Sequence, residues 1–291
     1  MESKTFSPEV APEFSSKIDL HFFRHDEKEG DPLKNDYDIE LSPKGREGAK
    51  AQAQETNLEQ AMAFGSPRKR TQETAGFIMA GADAGITGNE SLDELRAKID
   101  GDIEYGSKIA VDPKLNFDME GDTEYVKEAM TAYKAGTLIP FLIEKSDELA
   151  LETGDTVSST YSRMAASIAG IIKKYIGVAP RWNDLVKDEQ KGYEPILERF
   201  LGTHQSMQES FLAKLLEVTK GTEERDRFAQ VIGGKGFGYS EGFEVEIVTK
   251  EGDPTPSVRI TYKKEGKTPE TSFDFDETVS LETIEEISEL K

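Results

Sequence analysis

The 291-residue chain contains no cysteine. This excludes disulfides, thiolate-ligated zinc, iron–sulfur clusters and thiol nucleophiles in one step. Histidine is nearly as scarce, with three copies, His21, His25 and His204, so imidazole chemistry has few places to reside. Basic residues are outnumbered, 36 against 57 acidic, and the net charge of −21 argues against a general binder of nucleic acid or of anionic membranes. Any anionic ligand must therefore be drawn in by a local basic pocket. No apolar run approaches the length of a membrane span, and MESKTFSPEVAPEFSSK lacks the basic-then-apolar layout of a secretory signal, so the expectation is a cytoplasmic protein.

What is present is periodic. In IDLHFF, Ile18, Leu20 and Phe22 alternate with Asp19, His21 and Phe23, the pattern of a strand, which runs directly into Arg24 and His25. A polar loop follows, and then Ser42-Pro43 opens a helix, with serine as cap and proline at the first helical position. The same unit recurs at AMAFG followed by SPRKRTQETAGFIMAGA, and again at ILERFLGTH followed by QSMQESFLAKLLEVTKG. Three strand-to-helix units predict an α/β fold, a three-layer α/β/α sandwich on a mostly parallel sheet. Helices are expected near 123–135, 138–151 and 157–176 as a covering insertion. A β-hairpin is expected over 242–266 and an acidic helix at the C-terminus. Residues 1–16 read as a loose arm and 17–291 as one domain, with about 233–291 as an extension. The glycines of GGKGFGYS have the spacing of neither a P-loop nor a dinucleotide fingerprint and read as a flexible loop.

The chemistry-bearing residues gather at strand ends. Arginine presents a planar fork suited to phosphate oxygens, and an adjacent imidazole can hold or attack the same group. Arg24-His25 has that make-up, although taken alone a surface pair is its ordinary reading. In Arg68-Lys69-Arg70 one of the three can face a ligand at the helix start, aided by the helix dipole. His204 ends the third apolar run. Two of three histidines and an arginine-bearing turn thus fall at C-terminal strand ends, the edge where open α/β sheets bind ligands. His21 reads as a packed, hydrogen-bonded histidine with no role.

In order and spacing, FFRHDEK, LSPKGREGAKA, FGSPRKRTQETA, SLDEL and GTHQSMQESFL resemble the histidine phosphatase superfamily, its phosphoglycerate-mutase-like branch in particular. The resemblance spans roughly residues 18–216. It implies a metal-independent phosphatase in which His25 becomes phosphohistidine while Arg24, Arg70 and His204 surround the phosphoryl oxygens; no cofactor is implied. It also implies an acid for the leaving oxygen, best matched by Glu94, with Asp93 and Glu90 as competitors. Ser158, Ser159 and Arg163 resemble a serine- and arginine-bearing family segment, but helix capping and a structural arginine are their ordinary reading, as capping is for Thr203. Asp26 stands where the family usually has glycine, and could repel phosphate or orient an arginine. Without a Trp-Asn after the Arg-His pair a mutase is disfavoured, and Gln205 after His204 disfavours the acid-phosphatase branch. The expected partner is a small phosphorylated substrate. The alternative is a catalytically silent module that binds phosphate or a phosphorylated ligand.

Overall fold

The computed structural model describes residues 15–31, 33–83, 85–101, 106–119 and 121–291. Seven strands form one sheet in the order β3-β2-β4-β1-β5-β6-β7. They are β1 (Ser16–Arg24), β2 (Met62–Gly65), β3 (Ile109–Val111), β4 (Ile196–Thr203), β5 (Gly242–Lys250), β6 (Asp253–Lys264) and β7 (Phe273–Val279). The half made by β3, β2, β4 and β1 is parallel, while β5, β6 and β7 extend the same sheet with antiparallel pairing. The expected hairpin is thus two strands of a three-stranded meander built onto β1. The expected arm falls largely on residues 1–14, outside the described residues, and Ser16 already belongs to β1.

The helices are α1 (Pro43–Ala51), α2 (Lys69–Ala80), α3 (Leu92–Asp100), α4 (Glu124–Ala135), α5 (Leu138–Phe141), α6 (Asp147–Thr153), α7 (Tyr161–Lys187), α8 (Met207–Lys220), α9 (Thr222–Ile232) and α10 (Leu281–Ser288). A π-helical turn, Leu142–Ser146, joins α5 to α6. Alternation along the strands serves two cores. Ile18, Leu20 and Phe22 pack with α7, α8 and α10, whereas Phe23 and Phe200 turn to the opposite face, beneath α1, α2 and α3. Among the described residues no helix is long and apolar enough to cross a membrane.

Two glycines let α2 sit close on the strand ends. A Cβ on Gly202 would lie 2.1 Å from the Thr71 carbonyl oxygen, and one on Gly65 would lie 2.5 Å from the Gln72 nitrogen. Both contacts are with backbone, which cannot swing aside. Gly202→Ala is therefore expected to push α2 off the sheet and cost about 1–3 kcal/mol, the usual range for overpacking, measurable as a lower midpoint in denaturant unfolding.

Candidate functional site

The register of the parallel strands builds the site. Arg24 pairs with Thr203, and Gly65 pairs with Gly202, so the chain leaves β1, β4 and β2 at nearly one level, carrying His25, His204 and Ser66. The His25 N–H donates to the Thr203 carbonyl at 2.9 Å, locking the two exits together. The imidazoles of His25 and His204 meet edge to face with centroids 5.4 Å apart, both nearly buried. From the first turn of α2, Arg70 donates through Nε to His25 Nε2 at 3.4 Å. Arg24, His25, Arg70 and His204, separated by up to 180 positions in sequence, line one pocket with a volume of about 280 Å³.

The protonation of His25 follows from its contacts. Nδ1 lies 2.7 Å from the Asp26 carbonyl, an acceptor only, so Nδ1 carries the hydrogen. That leaves the Nε2 lone pair on the side of Arg70. Burial first, and then the Arg70 guanidinium, push the His25 pKa down to about 3. His204 is held well below its usual value by burial and by facing His25 and Arg70, and its Nε2 lies 2.8 Å from the Ser66 hydroxyl. Both rings are thereby kept neutral at physiological pH, and the His25 Nε2 lone pair accepts from Arg70 Nε.

His21 behaves oppositely. Burial works against its charge, but Glu198 and Glu244, at 3.7 and 3.4 Å, prevail and push it up to about 9. It stacks on Phe200, centroids 4.9 Å apart, outside the pocket. An NMR titration of the three imidazoles is expected to find His21 cationic until about pH 9, His25 neutral down to about pH 3 and His204 still neutral well below pH 6.5. The linkage runs both ways. His21, raised, contributes stability that is full below its unfolded value of 6.5 and lost as pH rises through 9; His25 and His204, depressed, make stability fall as pH drops below 6.5. Titration of His25 or His204 near 6.5 would contradict this geometry.

Asp36, from the loop before α1, holds the arginines in place. Its carboxylate accepts from Arg68 Nε at 2.7 Å, Arg70 Nη2 at 2.9 Å and Lys28 Nζ at 3.0 Å, and its carbonyl accepts from Arg70 Nη1 at 2.7 Å. Burial opposes its charge, but Arg70 and Lys28 outweigh that and keep the carboxyl well below the usual range. Asp36 is the one carboxylate lining the pocket among the described residues, and it is ionised.

Asp26 faces elsewhere. Its carboxylate accepts from the Glu27 N–H at 2.6 Å and from the Ser240 hydroxyl at 2.7 Å, beside Gly48, so it orders the turn and does not line the pocket. The structure does not bring Glu94 to the site. Its carboxylate accepts from the N–H and hydroxyl of Ser91, at 2.9 and 2.8 Å, in a capping box that starts α3, exposed to solvent. The geometry therefore corrects the acid role implied for Glu94. Asp93 pairs with Arg96, and Glu90 is engaged by Thr87, Gly88 and Lys98; neither lines the pocket. Arg163 donates to the carbonyls of Ser158 and Asp155, and Ser159 caps backbone at Asp118, all structural contacts. Thr203 is likewise spent, donating to the Leu115 carbonyl at 2.9 Å.

Two walls of the site were not read from the sequence. The first is GGKGFGYS. Arg24 Nη1 donates to the Phe237 carbonyl, its guanidinium lies 4.9 Å from the Tyr239 ring centre, and the Ser240 N–H donates to the Arg24 carbonyl at 3.2 Å. Glu209 of α8 fixes this loop by accepting from the Phe237 N–H at 2.7 Å, and burial raises that carboxyl to about 7. Gly236, at φ +65°, leaves 2.3 Å between an added Cβ and Glu209 Oε1, so only glycine passes there. The second is the segment after β3, where Phe117 and Met119 line the pocket and Arg68 donates to the Phe117 carbonyl at 2.6 Å. Glycines flanking an aromatic were the available signal for the first. The second, after a three-residue strand, offered none.

Residues 20–107 match the model of the histidine phosphatase superfamily (branch 1). That segment holds Arg24, His25 and Arg70. Among solved structures the chain is similar to "Mycobacterial hydrolase 2", at 15% identity and a TM-score of 0.46, covering 94% of this chain and 97% of that one. It is also similar to a mycobacterial glucosyl-3-phosphoglycerate phosphatase, at 16% identity and a TM-score of 0.43, covering 84% and 96% respectively. A phosphoglycerate mutase from Bacillus anthracis str. Sterne gives 16% identity and a TM-score of 0.43, covering 82% and 95%. No curated protein matches the chain.

Proposed function

We propose that the protein is a metal-independent phosphatase that hydrolyses a phosphomonoester through phospho-His25. The observation that carries this reading is the His25 tautomer: Nδ1–H is tied to the Asp26 carbonyl, leaving Nε2 unprotonated beside Arg70 and His204. A dianionic phosphoryl group placed among Arg24, Arg70 and His204 has cations and donors for its oxygens, and by drawing the Arg70 Nε–H onto one of them it releases the Nε2 lone pair. As the Nε2–P bond forms, the P–O bond to the leaving group breaks and the ester oxygen departs with the electron pair. The imidazole gains positive charge, which the Asp26 carbonyl stabilises through Nδ1–H. Water then attacks phosphorus, the Nε2–P bond breaks with its electron pair returning to Nε2, the proton that the water sheds goes to the departed ester oxygen, and inorganic phosphate and neutral His25 are released. The preorganised cluster supplies the local attraction that an acidic protein must provide for an anion.

The purified protein is expected to release inorganic phosphate from an aryl phosphomonoester in the presence of EDTA. Binding of phosphate with no turnover of any ester would instead favour the silent module, a reading to which the pairing of Arg70 with Asp36 gives some structural basis.

A further inference from the structure

The phosphate cluster makes only part of the pocket lining. The rest includes Phe117 and Met119 from the segment after β3, Met130 and Tyr133 from α4, Leu138 at the start of α5, and Tyr239 from the loop before β5, whose ring also meets Arg24. Four separate stretches of chain thus bring apolar or aromatic side chains to the same cavity. Three of these residues stay in water where a folded protein would ordinarily cover them: Met130 is 37% exposed, Tyr133 54% and Tyr239 51%. A volume near 280 Å³ lies at the small end of ligand pockets, which run from about 300 to 1,000 Å³, and so suits a compact ligand.

We propose that the substrate is an aryl phosphomonoester, with its phosphoryl group among Arg24, His25, Arg70 and His204 and its ring against Phe117, Met119, Met130, Tyr133, Leu138 and Tyr239. The proposal rests on the phosphatase reading above and names the class of leaving group. Two independent features point to it. A flat ring gains from aromatic faces and methionine sulfur, whereas a sugar or polyol phosphate would bury hydroxyls against a wall of mostly carbon and sulfur. The second feature is the chemistry of departure. Asp36, the one carboxylate lining the pocket among the described residues, is ionised and shared between two arginines, so it has no proton to give. A phenol, with a pKa of about 10, leaves as phenolate far more readily than an alcohol leaves as alkoxide. As Nε2–P forms and P–O(aryl) breaks, the electron pair goes to the phenolate oxygen, which then takes its proton from solvent water.

The test uses the full chain with three esters: phenyl phosphate, benzyl phosphate, which keeps the ring but has an alkyl leaving oxygen, and glycerol 2-phosphate. The expected kcat/KM is at least about 100-fold higher for phenyl phosphate than for glycerol 2-phosphate, with benzyl phosphate sharing the KM of phenyl phosphate but not its kcat. The double variant Met130→Ala/Tyr133→Ala should raise KM for phenyl phosphate about tenfold while leaving inhibition by inorganic phosphate unchanged. Equal kcat/KM for all three esters, or an unchanged KM in the variant, overturns the aryl assignment and leaves the phosphatase reading standing. Failure to turn over any ester overturns both.

Discussion

His25→Ala should lose ester hydrolysis by about 10³-fold or more while folding normally and retaining phosphate binding. The expectation follows from where the ring sits. It is the only imidazole in the site whose Nδ1 is anchored by a backbone carbonyl, and its Nε2 faces Arg70. His204 holds a different contact, its Nε2 lying 2.8 Å from the Ser66 hydroxyl. Alanine removes the nucleophile and also a buried neutral base, so the variant should lose less stability than wild type as pH falls below 6.5. Steady-state hydrolysis and thermal unfolding across pH check the two halves. Retention of wild-type turnover would remove His25 from the chemistry.

Arg70→Ala comes next in size, with an expected loss of about 10²–10³-fold in kcat, the range for deleting one preorganised donor aimed at developing charge. Arg70 reaches His25 through Nε while Asp36 braces both its terminal nitrogens, so the guanidinium is fixed before substrate arrives. Arg70→Lys should recover only a small part, since an ammonium cannot satisfy the Asp36 carbonyl and carboxylate together and still face the phosphoryl group. Losing Arg70 also removes the guanidinium that depresses His25, so the imidazole pKa should rise toward its ordinary value. A fall in kcat together with that upward shift distinguishes transition-state stabilisation from simple loss of structure.

The cluster itself was legible in the sequence for a physical reason. Parallel strands in register deliver the residues that follow their last paired positions to the same edge, so Arg24-His25 and Thr203-His204 had to meet once β1 and β4 were adjacent. The cap at Ser42 was a local signal, and the helix obeyed it. Where reading failed, long-range contact decided. Glu94 sits in a motif-like string, yet its carboxylate finds its partner three residues away, at the N-cap. Phe237 and Tyr239 reach Arg24 across more than 200 positions, a juxtaposition with no local periodicity to betray it. The strand β3 has three residues, too few to show alternation, and so the pocket wall that follows it was unreadable. The parallel half of the sheet was anticipated, and the antiparallel meander was foreseen only as far as one hairpin.

The most direct test is to mix the protein with phenyl phosphate, quench in alkali, where phosphohistidine survives, and map the modified peptide by mass spectrometry. Phosphate on His25, absent after acid treatment and absent in His25→Ala, is the predicted result. Turnover with no label on His25, or a label on His21 or His204 instead, would contradict the account.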